Sequence, residues 1–190
     1  MLKIIGIVVV VLIVAVVAVV AYASTRPDSF RVQRSASIKA PAQKIFPLIN
    51  DYRNWPQWSP YENRDPEMKR TYSGAPSGKG AKYAWEGNKN VGSGAMEIID
   101  TAPPNKLLIK LDFIKPFEGH NIAEFTLEPQ GGATNVTTNV TWAMQGRQPY
   151  MAKVMGLFID CDKMCGGLFE EGLAKLKALA EGEPASIAAE

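Results

Sequence analysis

The chain has 190 residues, 46% of them hydrophobic and 21% charged, enough for one domain with a core of its own. Its 21 basic and 19 acidic side chains leave a formal net charge of +2, with no arginine-rich run and no basic helix face, so there is no electrostatic case for a nucleic-acid partner. With 2 cysteines and 1 histidine widely separated from them, a four-ligand zinc site is excluded, and neither metal nor cofactor is expected.

The first element is apolar throughout. Leu2 to Ala23 is almost entirely Val, Ile, Leu and Ala, with Lys3 its only charge. As a helix it would reach roughly 33 Å, enough to cross a bilayer core. The reading is a transmembrane signal anchor over residues 1–23. A cleaved signal peptide is the rival, because Ala21-Tyr22-Ala23 has the small-x-small form of a cleavage site; the apolar run is, however, longer than an h-region. The start-proximal lysine places the folded domain on the extracytoplasmic side, although Arg26, Arg31, Arg34 and Lys39 argue the other way.

Residues 24–29 form a short polar linker. From Phe30 to Ile38, apolar and polar residues alternate as in a strand. Pro41 then suits the first position of a helix whose buried face is Ile45, Leu48 and Ile49; Pro47 predicts a kink or an early end. Next comes "NDYRNWPQWSPYEN", in which Tyr52, Trp55, Trp58 and Tyr61 are interleaved with Pro56 and Pro60. Six extended runs follow, at 70–73, 82–85, 95–100, 106–113, 121–128 and 134–144, parted by Gly- and Pro-rich turns. No helix-length segment interrupts them, which predicts an antiparallel meander. A short helix over Met151–Ile159 precedes a long one from Met164, where Leu168, Phe169, Leu173, Leu176 and Leu179 recur at threes and fours. Gly166-Gly167 weakens the start of that helix or admits a close neighbour. Residues 182–190 read as a flexible tail.

This order, with "RSASIKAPAQKIFPLINDYRNWPQWSPYE", "GKGAKYAWEGNKNVGSGAMEI", "FTLEPQGGATNVTTNVTW" and "FEEGLAKLKALAE", resembles the START-like superfamily of polyketide cyclases and lipid-transport proteins (SRPBCC) over residues 30–181. The resemblance implies an α+β helix-grip fold: a curved antiparallel sheet of about seven strands wrapped around a long C-terminal helix, here preceded by one transmembrane helix. It also implies a pocket for an apolar or amphipathic ligand. Such proteins include lipid carriers, hormone receptors, cyclases and subunits without known catalysis, so the resemblance says more about fold than about function.

On that reading the ligand-cavity candidates are Trp55, Trp58, Tyr83, Trp85, Met96, Ile98, Leu111, Phe113, Phe125 and Trp142. Trp55 and Trp58 would cap one end of the cavity, as packed plugs or as a gate. Tyr83 and Trp85 share a face with Met96 and Ile98 on the next strand. No catalytic residue is assigned. His120 reads as a surface or loop residue, with no nucleophile spaced for it. Cys161 and Cys165 read as small buried hydrophobes. "GAPSGKG" has the wrong spacing for a phosphate loop. Asn135-Val136-Thr137 and Asn139-Val140-Thr141 match the glycosylation pattern but fall in a predicted strand. The expected function is binding of a hydrophobic small molecule or lipid by a membrane-tethered domain. The alternatives are a cyclase-type enzyme and a non-catalytic regulatory or protein-interaction module.

Overall fold

The computed structural model describes residues 2–131, 136–157 and 160–182; the side chains of Leu2 and Cys161 lie outside that description. Helix α1 covers Leu2–Ser24, β1 Ser29–Ile38 and α2 Ala42–Asn50, followed by a 3-10 helix over Tyr52–Gln57. Strands β2 (Lys69–Gly74), β3 (Ala81–Glu86), β4 (Ser93–Ala102), β5 (Lys106–Lys115), β6 (Gly119–Gln130) and β7 (Thr137–Arg147) come next. Helices α3 (Tyr150–Met155) and α4 (Cys161–Glu181) complete the order.

All seven strands form one antiparallel sheet in the order β1-β7-β6-β5-β4-β3-β2. Strands β2 to β7 form a meander in which each pairs with its successor, and β1 pairs with β7, so that β1 and β2 are the two edges of the sheet. Register shifts in β4 at Ser93/Gly94 and Ile98/Asp100 bend the sheet, as bulges do. It therefore curves around α4, and the expected helix-grip fold is the one observed.

Alternation decides which side of each strand is buried. Val32 and Ile38 of β1, Tyr83 of β3, Met96 and Ile98 of β4, Leu107, Ile109 and Leu111 of β5, Phe125 and Leu127 of β6, and Val140 and Trp142 of β7 point inward. Phe169, Leu173, Leu176 and Ala180 of α4 meet them. Arg34 is the charged member of the inward set on β1. It bonds Asp162 at 2.9 Å and Glu170 at 2.7 Å across the first turns of α4.

Two glycines of α4 now have separate explanations. A Cβ on Gly166 would strike the Arg34 guanidinium, so this position keeps room for a side chain. Gly167 has nothing within 4 Å. The helix starts with the Asp160 side chain accepting from Lys163 N at 3.0 Å and stops at Gly182, whose φ of 77° is left-handed.

Several sequence expectations shift. Pro41 precedes α2 rather than opening it, and Pro47 sits inside a helix that ends at Asn50, three residues later. The buried face of α2 is Ala42, Ile45, Phe46 and Ile49, with Leu48 only half-buried. Helix α4 begins at Cys161, before the expected Met164. The short helix ends at Met155, and the expected Phe158–Ile159 continuation, Asn135 and residues 183–190 lie outside the described residues. The Cys161 half of the cysteine reading does too; Cys165 is partly buried against the core.

Candidate functional site

The aromatic segment after α2 is built around the end of that helix. A helix leaves its last four carbonyls without intrahelical donors. Here those are Pro47, Leu48, Ile49 and Asn50. Asn54 Nδ2 donates to Pro47 O at 3.0 Å, Trp58 Nε1 to Leu48 O at 2.9 Å, and Trp55 Nε1 to Ile49 O at 2.9 Å. The backbone N–H of Gly78, in the β2–β3 turn, donates to Asn50 O at 3.0 Å. The two indoles thus carry out a capping task while their rings fill the interior. Trp55 is 5% exposed and Trp58 is fully buried.

From there the rings run as one layer across the inner face. Tyr52 lies 5.1 Å from Trp55, edge-on, and Trp55 lies 5.0 Å from Trp58. Trp58 is 5.7 Å from Trp142, which stacks on Phe169 of α4 at 4.2 Å and 8°. Phe125 fits against Trp55, Trp58 and Trp142. In the other direction Tyr52 meets Tyr83, which stacks on Trp85, which in turn meets Phe113 edge-on at 5.9 Å. Most of these pairs are stacked or T-shaped, and the Trp55–Trp58 and Tyr52–Tyr83 pairs are tilted between the two.

Seven of the ten expected cavity residues belong to this layer: Trp55, Trp58, Tyr83, Trp85, Phe113, Phe125 and Trp142. Met96 stands opposite Tyr83 on one side and Leu111 on the other, and Ile98 opposite Ile109, so the remaining three share the face. Gly94 faces Trp85 across β3 and β4; a Cβ there would meet the indole at 2.4 Å, so the glycine makes room for the ring. Two donors inside the core, Tyr52 Oη and Trp142 Nε1, are buried without a hydrogen-bond partner.

Sequence reasoning missed a polar strut beside this layer. Glu62 is 5% exposed. Its carboxylate accepts from Arg70 Nε at 2.6 Å and from Tyr83 Oη at 2.6 Å. The pairing raises the Arg70 pKa, and burial, reinforced by Glu62, raises that of Tyr83. Asp65, also buried, accepts from the backbone N–H of Asn88 at 2.7 Å and ties the segment to the β3–β4 turn. A lone Glu in a charged stretch carries no spacing signal; Tyr52 and Phe169 were legible as apolar positions but not as ring partners.

His120 lies on the outer face, 68% exposed, with Nδ1 2.7 Å from Asp112 Oδ1 across the β5–β6 pair. Asp112 raises the His120 pKa above its ordinary value. Among the described residues no group of three or more His, Cys, Asp or Glu is arranged to hold a metal ion. Two clefts open elsewhere. One of about 520 Å³ lies between the start of β1, α3 and the start of α4, with Phe30, Val32, Arg26 and Lys153 in its wall. One of about 630 Å³ lies on the outer face beside His120 and Ile122. None of the ten expected residues lines either.

A curved antiparallel sheet closed by a C-terminal helix over an aromatic, apolar interior defines the helix-grip class. Within it, the chain belongs to the polyketide cyclase/dehydrase and lipid transport family, whose model matches residues 29–181. Comparison with curated protein sequences gives no match. Among solved structures, a protein from Thermobifida fusca is similar with a TM-score of 0.57 at 18% identity, over 79% of this chain and 92% of that one. One from Mesorhizobium loti gives a TM-score of 0.55 at 18% identity, covering 82% and 99%. DynU16, of the dynemicin biosynthetic locus, gives 0.52 at 20% identity, covering 84% of this chain and 49% of its own. At these identities the likeness is one of fold.

Proposed function

We propose that this chain binds a hydrophobic small molecule or lipid between the inner face of the sheet and α4, and that α1 tethers it to a membrane. The observation that carries the reading is the composition of the interior: an aromatic layer flanked by aliphatic side chains, with Tyr52 Oη and Trp142 Nε1 buried and unpartnered in it. Buried polar atoms are ordinarily satisfied. An apolar ligand carrying an acceptor oxygen would satisfy such donors while gaining about 25 cal/mol per Å² of buried area, before ordering costs. Because the rings pack on one another, entry requires some of them to move apart. The family to which the chain belongs and the apolar character of α1 support the same reading.

The cyclase-type alternative would need a carboxylate ready to move protons. Among the described residues the buried carboxylates are Glu62 and Asp65, and both are engaged, the first by Arg70 and Tyr83, the second by backbone N–H groups. Binding is the better-supported activity.

The test is titration of the detergent-solubilised full chain with fatty acids, quinones and polyprenols, reading tryptophan emission and unfolding temperature together. A saturable emission change with a rise in unfolding temperature supports binding. A flat response in both across all three classes removes the reading.

A further inference from the structure

The strand register sorts the loops to two ends of the sheet. Ser29 pairs with Arg147, Asn121 with Gly146, Gly119 with Phe113, and Ser93 with Lys115. The exit of α1, the β5–β6 turn and the β7–α3 connection therefore lie at one end. The end of β6, the start of β7 and the β4–β5 turn lie at the other. Outside α1, the exposed large hydrophobic residues among those described are Ile114, Phe117, Val136, Tyr150, Met151, Met155 and Met164. Five of them, all but Val136 and Met164, stand at the α1 end. Phe117, at the tip of the β5–β6 turn, is 73% exposed, and Met151 of α3 is 68% exposed. Five of seven such residues gathered at one end of a domain make an apolar rim, and a contiguous rim of this kind marks a contact surface where single exposed residues would not.

The seating of α1 indicates what that surface meets. Tyr150 Oη donates to Val20 O at 2.8 Å, one turn inside α1, and Lys153 Nζ donates to Arg26 O at 2.9 Å. Only residues 25–28 separate α1 from β1. The helix therefore leaves the domain from a fixed seat, with Tyr22 and Tyr150 beside its last turns. Tyrosines at that position match the aromatic belt at a membrane–water boundary. The β5–β6 tip is about 10 Å from β1 across two strand spacings. Lys115 stands between Ile114 and Phe117 with its side chain exposed, while the neighbouring acid, Glu118, lies 3.5 Å from His120.

We propose that this end of the domain is a bilayer-docking surface: the β5–β6 tip and α3 insert Phe117, Ile114, Met151 and Met155 into the lipid interface beside α1. The proposal rests on α1 lying in the bilayer, and it adds that the domain lies against the membrane in one orientation instead of hanging from its tether. Insertion at the depth of interfacial helices, about 5–10 Å, suits side chains of this length. The 520 Å³ cleft bordered by α3 would then open beside the lipid surface.

The experiment uses the full chain reconstituted in phosphatidylcholine–phosphatidylglycerol vesicles containing a brominated lipid. Tryptophan probes are added one at a time as Phe117→Trp, Met151→Trp, Val136→Trp and Val11→Trp, and the parent emission is subtracted. The expected result is several-fold stronger bromolipid quenching at 117 and 151 than at 136, with a blue-shifted emission. Quenching at 117 and 151 no stronger than at 136, while the probe at 11 is quenched, overturns the docking surface and leaves the tether intact. An unquenched probe at 11 overturns the membrane reading of α1 and the docking surface with it.

Discussion

Trp58 shows how one residue here serves two purposes. Its ring is enclosed by Trp55, Phe125 and Trp142, and its N–H caps Leu48 O. Trp58→Ala should therefore cost about 3–5 kcal/mol, the usual cost of removing a buried aromatic side chain. Trp58→Phe keeps most of the buried area but leaves the carbonyl without its donor, so it should cost about 1–3 kcal/mol. Urea unfolding of the two variants should rank them in that order; a Trp58→Phe variant as stable as the parent would mean that the capping bond contributes nothing. His120 gives the opposite case. Its Asp112 partner raises its pKa, so the pair's contribution is present below the ordinary histidine range and is lost as pH rises through the folded value. Asp112 has a lowered pKa, owed first to Lys110 and then to His120; its contribution is present above the ordinary carboxylate value and is lost as pH falls through the folded one. Both groups are on the outer face. His120→Ala should leave the unfolding midpoint at pH 8 and the ligand response unchanged, and should at most lower the midpoint slightly at pH 5. A large loss at pH 8 would mean that the histidine does more than pair with its neighbour.

At the scale of elements, α4 carries the most informative contrast. Gly167 is exposed with open space around it, so Gly167→Ala should stabilise the helix by up to about 1 kcal/mol through propensity. At Gly172 a Cβ would lie 2.9 Å from both Pro60 Cδ and Trp142 Cζ3, two rigid rings. Overpacking costs about 1–3 kcal/mol, which exceeds the propensity gain, so Gly172→Ala should destabilise. Thermal unfolding of both variants checks the pair of signs; two stabilised proteins would mean that α4 is free to shift off Trp142. The same helix shows what the sequence could and could not disclose. Its Leu and Phe periodicity marks the buried stripe, and the strands were legible from alternation because each buries one face. Gly172 was silent, since its reason lies in residues 112 and 30 positions away. The capping of α2 was silent as well. A proline-broken aromatic run announces packing, but which indole meets which carbonyl depends on the path of the 3-10 helix. Phe46 was missed because the short α2 presents a wider buried face than its aliphatic residues alone trace.

For the whole molecule, the question is how independent the domain is of α1. Among the described residues the core of the sheet and α4 includes none of α1, whose apolar side chains are exposed along nearly its whole length. The exception is at its end, where Ala23 is buried and α3 holds Val20 and Arg26 by their carbonyls. A chain cut to begin at Ser24 should therefore keep a cooperative unfolding transition for the sheet and α4, while α3 loses the Val20 contact and exchanges its amide hydrogens faster. Protection in β5, β6 and β7 should be unchanged between the two proteins. Slower exchange there in the full chain would mean that α1 supports the core. The full chain should remain in the membrane fraction through an alkaline wash, as a spanning helix requires. A mature protein found to begin at Ser24, and recovered as soluble material, would instead make the apolar segment a removable leader. The domain would then bind its ligand away from any bilayer, and the exposed rim of Ile114, Phe117 and Met151 would need another partner.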